Sequence, residues 1–138
     1  MNFNEKLEIG IELIKEFNVC TIYLFGSFSR GEERVDSDID IAFLSDDNVD
    51  EYRCFMKAQE LADIFKRDVD LIDLRKVTTV FKAQIIGSAK VIYCNDDSKR
   101  AYFEIRSLKE YALLNEERYE ILERVKESGR VYGERCSL

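Results

Sequence analysis

The stretch LFGSFSRGEERVDSDIDIAF, residues 24–43, carries the pattern that decides the fold. A hydrophobic strand, predicted over 19–25, runs directly into Gly26 and Ser27. Glycine permits a sharp turn or the close approach of another group, and a serine at such a turn caps the backbone that follows. Backbone N–H groups at this turn, with Arg30 nearby, make an anion site. The sequence therefore predicts that Gly26, Ser27 and Arg30 bind a phosphate group.

Two carboxylates follow the turn after a gap of ten residues, in a second predicted strand. Asp38 and Asp40 alternate with apolar residues, so both carboxylates project from the same face of the strand. Neighbouring carboxylates repel each other unless a cation lies between them. Because the donors are all oxygens and the chain has no His, Mg²⁺ or Mn²⁺ is favoured over Zn²⁺.

A third carboxylate comes from the strand VDLIDL, predicted over 69–74. Asp70 lies between two apolar residues, so its side chain emerges on the opposite face from theirs. If this strand lies beside the strand of Asp38 and Asp40, three carboxylates converge on one metal site. We expect Asp38 and Asp40 to hold two metal ions, while Asp70 binds the metal near the nucleophile and accepts its proton.

The composition limits the functions that this chain performs. The 138 residues correspond to one domain, and the hydrophobic content of 46% argues against disorder. A net charge of −7 disfavours direct binding to DNA or RNA, and no apolar run is long enough to span a membrane. Without His, the chain has no His-based triad. Four cysteines without a CxxC pair fit free thiols, so we expect a soluble, cytoplasmic protein.

The spacing of apolar residues predicts the remaining elements. Helices are predicted over 3–17, 55–65, 78–88 and 96–127, and strands over 19–25, 38–44, 69–74 and 91–94. This order favours an α+β fold in which a small mixed sheet is flanked by helices. Residues 1–95 would form the core, and residues 96–138 a helical extension packed on the same domain.

The last predicted helix is long and charged, and it carries one apolar stripe. The stripe consists of Ala101, Ile105, Leu108, Ala112, Tyr119 and Leu122. Such a stripe either packs against the domain or docks a partner protein, and the tyrosines on this helix are residues favoured at interfaces. The sequence leaves both interpretations open.

The catalytic pattern resembles the signature of the DNA polymerase beta superfamily of nucleotidyltransferases. Gly26, Ser27, Asp38 and Asp40 match its Gly-Ser turn, ten-residue gap and acid-x-acid pair. The minimal branch of this superfamily also shows the forms GSxxRGxxxxxSDxD and VDL, and both are present here. The resemblance covers roughly the first two-thirds of the chain. It implies the nucleotidyltransferase fold, with ATP and two Mg²⁺ ions in the active site.

Within that branch, the C-terminal half is similar to the MntA-type antitoxins, which are paired with HEPN-domain ribonuclease toxins. The matching segment is IIGSAKVIYCND, residues 85–96, followed by the long charged helix. This resemblance implies that AMP from ATP is attached to a tyrosine of a cognate HEPN toxin, which silences its RNase activity. ATP and the toxin would be the partners, in a homo- or hetero-oligomer.

Two other functions fit the same residues. The protein could be a non-catalytic binding module whose long helix blocks a toxin sterically, beside a vestigial nucleotide site. It could also be a nucleotidyltransferase that modifies a small molecule such as an antibiotic. The short C-terminal segment argues against the second function, because it offers little material for a domain that encloses a small substrate.

Overall fold

The computed structural model describes residues 1–26 and 38–128, with side chains as far as residue 125. The elements in these ranges are α1 (Phe3–Ile14), β1 (Val19–Phe25), β2 (Ile39–Ser45), α2 (Glu51–Phe65), β3 (Val69–Asp73), α3 (Thr79–Ser88), β4 (Lys90–Cys94) and α4 (Asp97–Ser128). Single 3-10 turns follow α1 and β3. None of the helices in these two ranges combines the length and the apolar character of a membrane span.

The four strands form one mixed sheet in the order β3-β2-β1-β4. Strand β1 lies in the middle and pairs antiparallel with both β2 and β4. Strand β3 pairs parallel with β2, and a parallel pair needs a crossover, which α2 provides. The predicted mixed sheet flanked by helices is therefore confirmed, and β3 is an edge strand.

Both faces of the sheet are covered, and β2 contributes to both cores because its side chains alternate. Ile39, Ile41 and Phe43 are buried in the core that α1 and α2 cover. Ala42 enters the smaller core on the opposite face, which α3 and α4 cover. Asp40 shares the face of Ala42, as the sequence pattern predicted.

Short polar side chains set the starts of three helices. Asn2 caps α1 by accepting a hydrogen bond from the backbone N–H of residue 5, and Asp50 and Thr78 cap α2 and α3 in the same way. Helix α2 therefore begins at Glu51, four residues before its predicted start, because Asp50 is the cap. It ends at Phe65, and Lys66, which caps the helix, has a left-handed backbone.

The apolar stripe predicted on α4 does not pack against the domain. The large side chains of that stripe are all exposed: Ile105, Leu108, Tyr119 and Leu122. The first half of α4 instead packs on α3 and β1 through a different face, which includes Phe103 and the buried Ser107. On this face, the hydroxyl of Tyr23 donates a hydrogen bond of 3.3 Å to Glu104 Oε1. The division into 1–95 and 96–138 stays a prediction, because residues 129–138 lie outside the described part.

The close packing of α1 on α2 yields a stability prediction at Gly10. A Cβ at this buried position would lie 3.2 Å from Leu61 Cδ2 and 3.3 Å from Phe65 Cε2, so a larger side chain forces the helices apart. We expect Gly10→Leu to lower the free energy of unfolding by about 1–3 kcal/mol in urea denaturation. Gly87→Leu is the matched control, since the space around Gly87 is open. Equal stability of the two variants would contradict this packing.

Candidate active site

The parallel pairing of β2 with β3 brings two of the predicted site residues together. Asp40 lies directly opposite Asp70 in the register of the two strands. The backbone N–H of Ile39 donates a 2.9 Å hydrogen bond to the carbonyl of Asp68, which extends this register beyond β3. The prediction that the strand of Asp70 lies beside the strand of Asp40 is therefore confirmed.

The environment of Asp40 makes its negative charge unfavourable. Burial raises the pKa of the Asp40 carboxyl to about 6, and the charge and hydrogen bond of Asp70 act in the same direction. Asp38 is exposed directly before β2, and its charge raises the pKa of Asp40 further. In the absence of a cation, Asp40 therefore holds a proton more readily than an isolated aspartate does.

The turn after β1 touches the Asp40 carboxylate. Gly26 has a φ of +74°, a conformation that L side chains rarely adopt. A Cβ at this position would collide with Asp40 Oδ2 and would lie 3.2 Å from Asp40 Cγ. The predicted close approach at Gly26 is thus confirmed, and the group that approaches is a carboxylate. Ser27 and Arg30 lie outside the described residues, so their phosphate contacts stay predictions.

The donors at this site suit a hard divalent cation. Across residues 1–26 and 38–128, no group of three or more acidic or thiol side chains is arranged to hold a metal ion. The structure therefore brings Asp40 and Asp70 together as a pair, with the exposed Asp38 nearby. The sequence pattern had predicted that all three carboxylates converge on one site. Mg²⁺ is commonly bound by one or two carboxylates together with substrate phosphates, so the pair fits it.

The sequence did not reveal a groove beside these carboxylates. The groove has a volume of about 620 Å³ and lies between α2 and β3. Phe55 of α2 lines it and is 59% exposed, which helical periodicity alone does not predict. No sequence signal marks the groove, because residues far apart in the chain form it.

The raised pKa of Asp40 yields a prediction about stability and pH. The ordinary pKa of an aspartate is 3.8, and that of folded Asp40 is about 6, so protonation of Asp40 favours the folded state. This contribution is complete below pH 4 and is lost as the pH rises through 6. Asn carries no charge at either pH. We therefore expect the free energy of unfolding of Asp40→Asn, relative to that of the wild type, to be about 1 kcal/mol higher at pH 7.5 than at pH 4.5.

Urea denaturation in EDTA at both pH values measures this difference. The control is Asp63→Asn, which removes an exposed carboxylate of α2. Its free energy of unfolding should differ from that of the wild type by nearly the same small amount at both pH values. If the free energy of unfolding of the wild type instead rises relative to that of Asp40→Asn as the pH increases, the repulsion between Asp40 and Asp70 is contradicted.

Comparisons with known proteins agree with this geometry. The family model described as polymerase beta, nucleotidyltransferase matches residues 8–98. The protein adenylyltransferase MntA of Shewanella oneidensis is 38% identical over 104 residues, which cover 75% of this chain and 74% of that protein.

Two solved structures extend the similarity over most of the chain. A toxin-antitoxin crystal structure with AMP-PNP contains a chain that is 33% identical, with a TM-score of 0.77 and coverage of 90% of this chain and 98% of that one. A complex of a tri-AMPylated Shewanella oneidensis HEPN toxin with its MNT antitoxin contains a chain that is 32% identical, with a TM-score of 0.72 and coverage of 91% and 98%. The predicted nucleotidyltransferase fold is thereby confirmed, and this chain belongs to the polymerase beta nucleotidyltransferase family.

Proposed function

We propose that this protein is an Mg²⁺-dependent protein adenylyltransferase that acts as an antitoxin in the cytoplasm. It transfers AMP from ATP to a tyrosine of a cognate HEPN toxin. The similarity to MntA and to the chain in complex with a tri-AMPylated HEPN toxin supports this function. Two further properties of the chain fit it: the absence of His, and the position of the carboxylates beside a backbone turn.

The observation that carries the proposal is the Asp40–Asp70 pair in contact with the Gly26 turn. Asp70 raises the pKa of Asp40, so these neighbouring carboxylates cost stability, and perturbed carboxylates of this kind cluster at functional sites. The same pair at the end of a turn that favours phosphate is what nucleotidyl transfer requires.

In the proposed mechanism, Gly26, Ser27 and Arg30 bind the phosphates of ATP. Asp38, Asp40 and Asp70 would hold two Mg²⁺ ions, for which Mn²⁺ could substitute. When bound, Mg²⁺ neutralises the charge of the phosphates and of these carboxylates.

We assign the role of proton acceptor to Asp70, because it is exposed on the edge strand β3 and the chain has no His to serve as a base. It takes the proton of the tyrosine hydroxyl as the oxygen attacks the α-phosphorus of ATP. A bond forms between the tyrosine oxygen and the α-phosphorus, and the bond from the α-phosphorus to the bridging oxygen breaks. Pyrophosphate leaves with that electron pair.

Incubation with ATP labelled at the α-phosphate, Mg²⁺ and the Shewanella oneidensis HEPN toxin tests this function. We expect label on the toxin, at tyrosine by mass spectrometry, and no label in EDTA. The Shewanella oneidensis MntA protein serves as the positive control for a competent toxin. A toxin that MntA labels and that this protein leaves unlabelled, together with an unlabelled product of the neighbouring gene, would contradict the proposal.

The exposed apolar face of α4 favours a second candidate, a steric blocker. Tyr102, Ile105 and Tyr119 are each more than half exposed on this helix. An exposed apolar face of this kind is typical of a docking surface. The double variant with Asp38→Asn and Asp40→Asn separates the two functions in a growth assay with the toxin. A blocker still neutralises the toxin with both changes, whereas the adenylyltransferase does not.

A further inference from the structure

The groove between α2 and β3 is continuous with the candidate active site. Asp38 and Asp70, two of the carboxylates proposed to act on ATP, line one end of it. Val77 lines it beyond the other end of β3, and Phe55 and Ala58 form its wall on α2. A molecule in this groove therefore lies directly beside the atoms where transfer would occur.

The shape of the groove suits an extended chain. It follows β3, which has five residues and therefore a length of about 17 Å. Strand β3 is at the edge of the sheet, and Asp70 on this strand is exposed to solvent. On this side of the strand, Cys54 Sγ of α2 donates a 3.4 Å hydrogen bond to the Leu71 carbonyl. A segment of about five extended residues fills such a groove.

The charge of the lining decides which molecule binds there. Among the residues that the structure describes, five carboxylates line the groove: Asp38, Glu51, Asp68, Asp70 and Asp73. One ammonium, that of Lys76, lines it as well, and it donates a hydrogen bond to the carbonyl of Val49. Even with Asp38 and Asp70 neutralised by metal, acids outnumber bases within this described lining, which therefore repels polyphosphate and attracts cations.

We propose that this groove holds the acceptor segment of the modified protein, an extended stretch in which basic and apolar residues flank the tyrosine. This inference rests on the proposed function. The tyrosine hydroxyl reaches Asp70, an apolar neighbour packs against Phe55, and basic side chains pair with Glu51, Asp68 and Asp73. ATP approaches from the other side of Asp40, where Gly26 lies.

Two synthetic hexapeptides test the charge preference directly. Each contains one tyrosine flanked by leucine and valine, and the other three residues are lysines in one peptide and glutamates in the other. We expect the lysine peptide to accept labelled AMP with a kcat/KM at least about tenfold higher, because like charges in the groove repel the glutamates. Equal kcat/KM values would overturn the proposal.

Two variants locate the effect within the groove. We expect Phe55→Ala and Glu51→Gln each to raise the KM for the lysine peptide about three- to tenfold, with the KM for ATP unchanged. Tyr52→Ala is the matched control, because Tyr52 is an exposed aromatic on the same helix that lines a different depression. A peptide KM that is unchanged in Phe55→Ala, or raised equally in Tyr52→Ala, would overturn the proposal.

The intact toxin separates this inference from the proposed function. If the wild type labels the toxin and labels neither peptide, the groove does not recognise an extended segment and the inference fails. If the wild type labels neither peptide, and labels neither the Shewanella oneidensis toxin nor the product of the neighbouring gene, the proposed function itself fails.

Discussion

Replacing Asp40 with Asn is expected to lower the rate of AMP transfer by about two to three orders of magnitude. The substitution keeps the shape of the side chain and removes the negative charge that would hold the cation. Asp40 is half-buried on β2 and lies directly opposite Asp70, so its carboxylate is at the centre of the candidate site. Single-turnover transfer of labelled AMP to the HEPN toxin measures the rate.

The same variant should be more stable than the wild type at neutral pH in EDTA, so misfolding does not explain its loss of activity. Asp63→Asn, on the exposed side of α2, should keep the wild-type rate. An Asp40→Asn protein that retains more than about a tenth of the wild-type rate would contradict the role of this carboxylate.

Replacing Gly26 with Ala is expected to lower the transfer rate by about two orders of magnitude, although only one methyl group is added. The Cβ would collide with Asp40 Oδ2, so the carboxylate must leave the position in which it faces Asp70. The φ of +74° adds strain of about 1–2 kcal/mol for any L side chain. Activity assays and urea denaturation on the same preparation separate the two effects.

Gly87→Ala provides the control, because a Cβ at Gly87 meets open space and the residue lies in a helix. It should leave activity unchanged and raise the free energy of unfolding by about 0.4–1 kcal/mol. A Gly26→Ala protein with full activity would show that the position of the Asp40 carboxylate is not critical.

Local patterns were sufficient to predict the core of the site. Alternation along a strand placed Asp40 on the face opposite Ile39 and Ile41, and the structure confirms it. Gly26 was predicted because a residue without a side chain is needed between the strand and the predicted phosphate-binding turn. These features depend on neighbours in sequence, or on the period of two that every strand has.

The features that the sequence did not predict depend on contacts between distant segments. Helix α4 has apolar side chains on more than one face, and its periodicity does not say which face the domain uses. The domain uses the face where Ser107 is buried and where Glu104 meets Tyr23. In the same way, the exposure of Phe55 follows from how α2 lies against β3, which only the assembled fold fixes.

The proposed function requires that Asp40 and Asp70 bind Mg²⁺ together with ATP. Isothermal titration of ATP into the protein, with and without Mg²⁺, tests this requirement most directly. The wild type is expected to bind ATP at least about a hundredfold more tightly with Mg²⁺ than in EDTA. In Asp40→Asn, this difference should shrink to less than about tenfold. Wild-type affinity that is the same in Mg²⁺ and in EDTA would contradict the account.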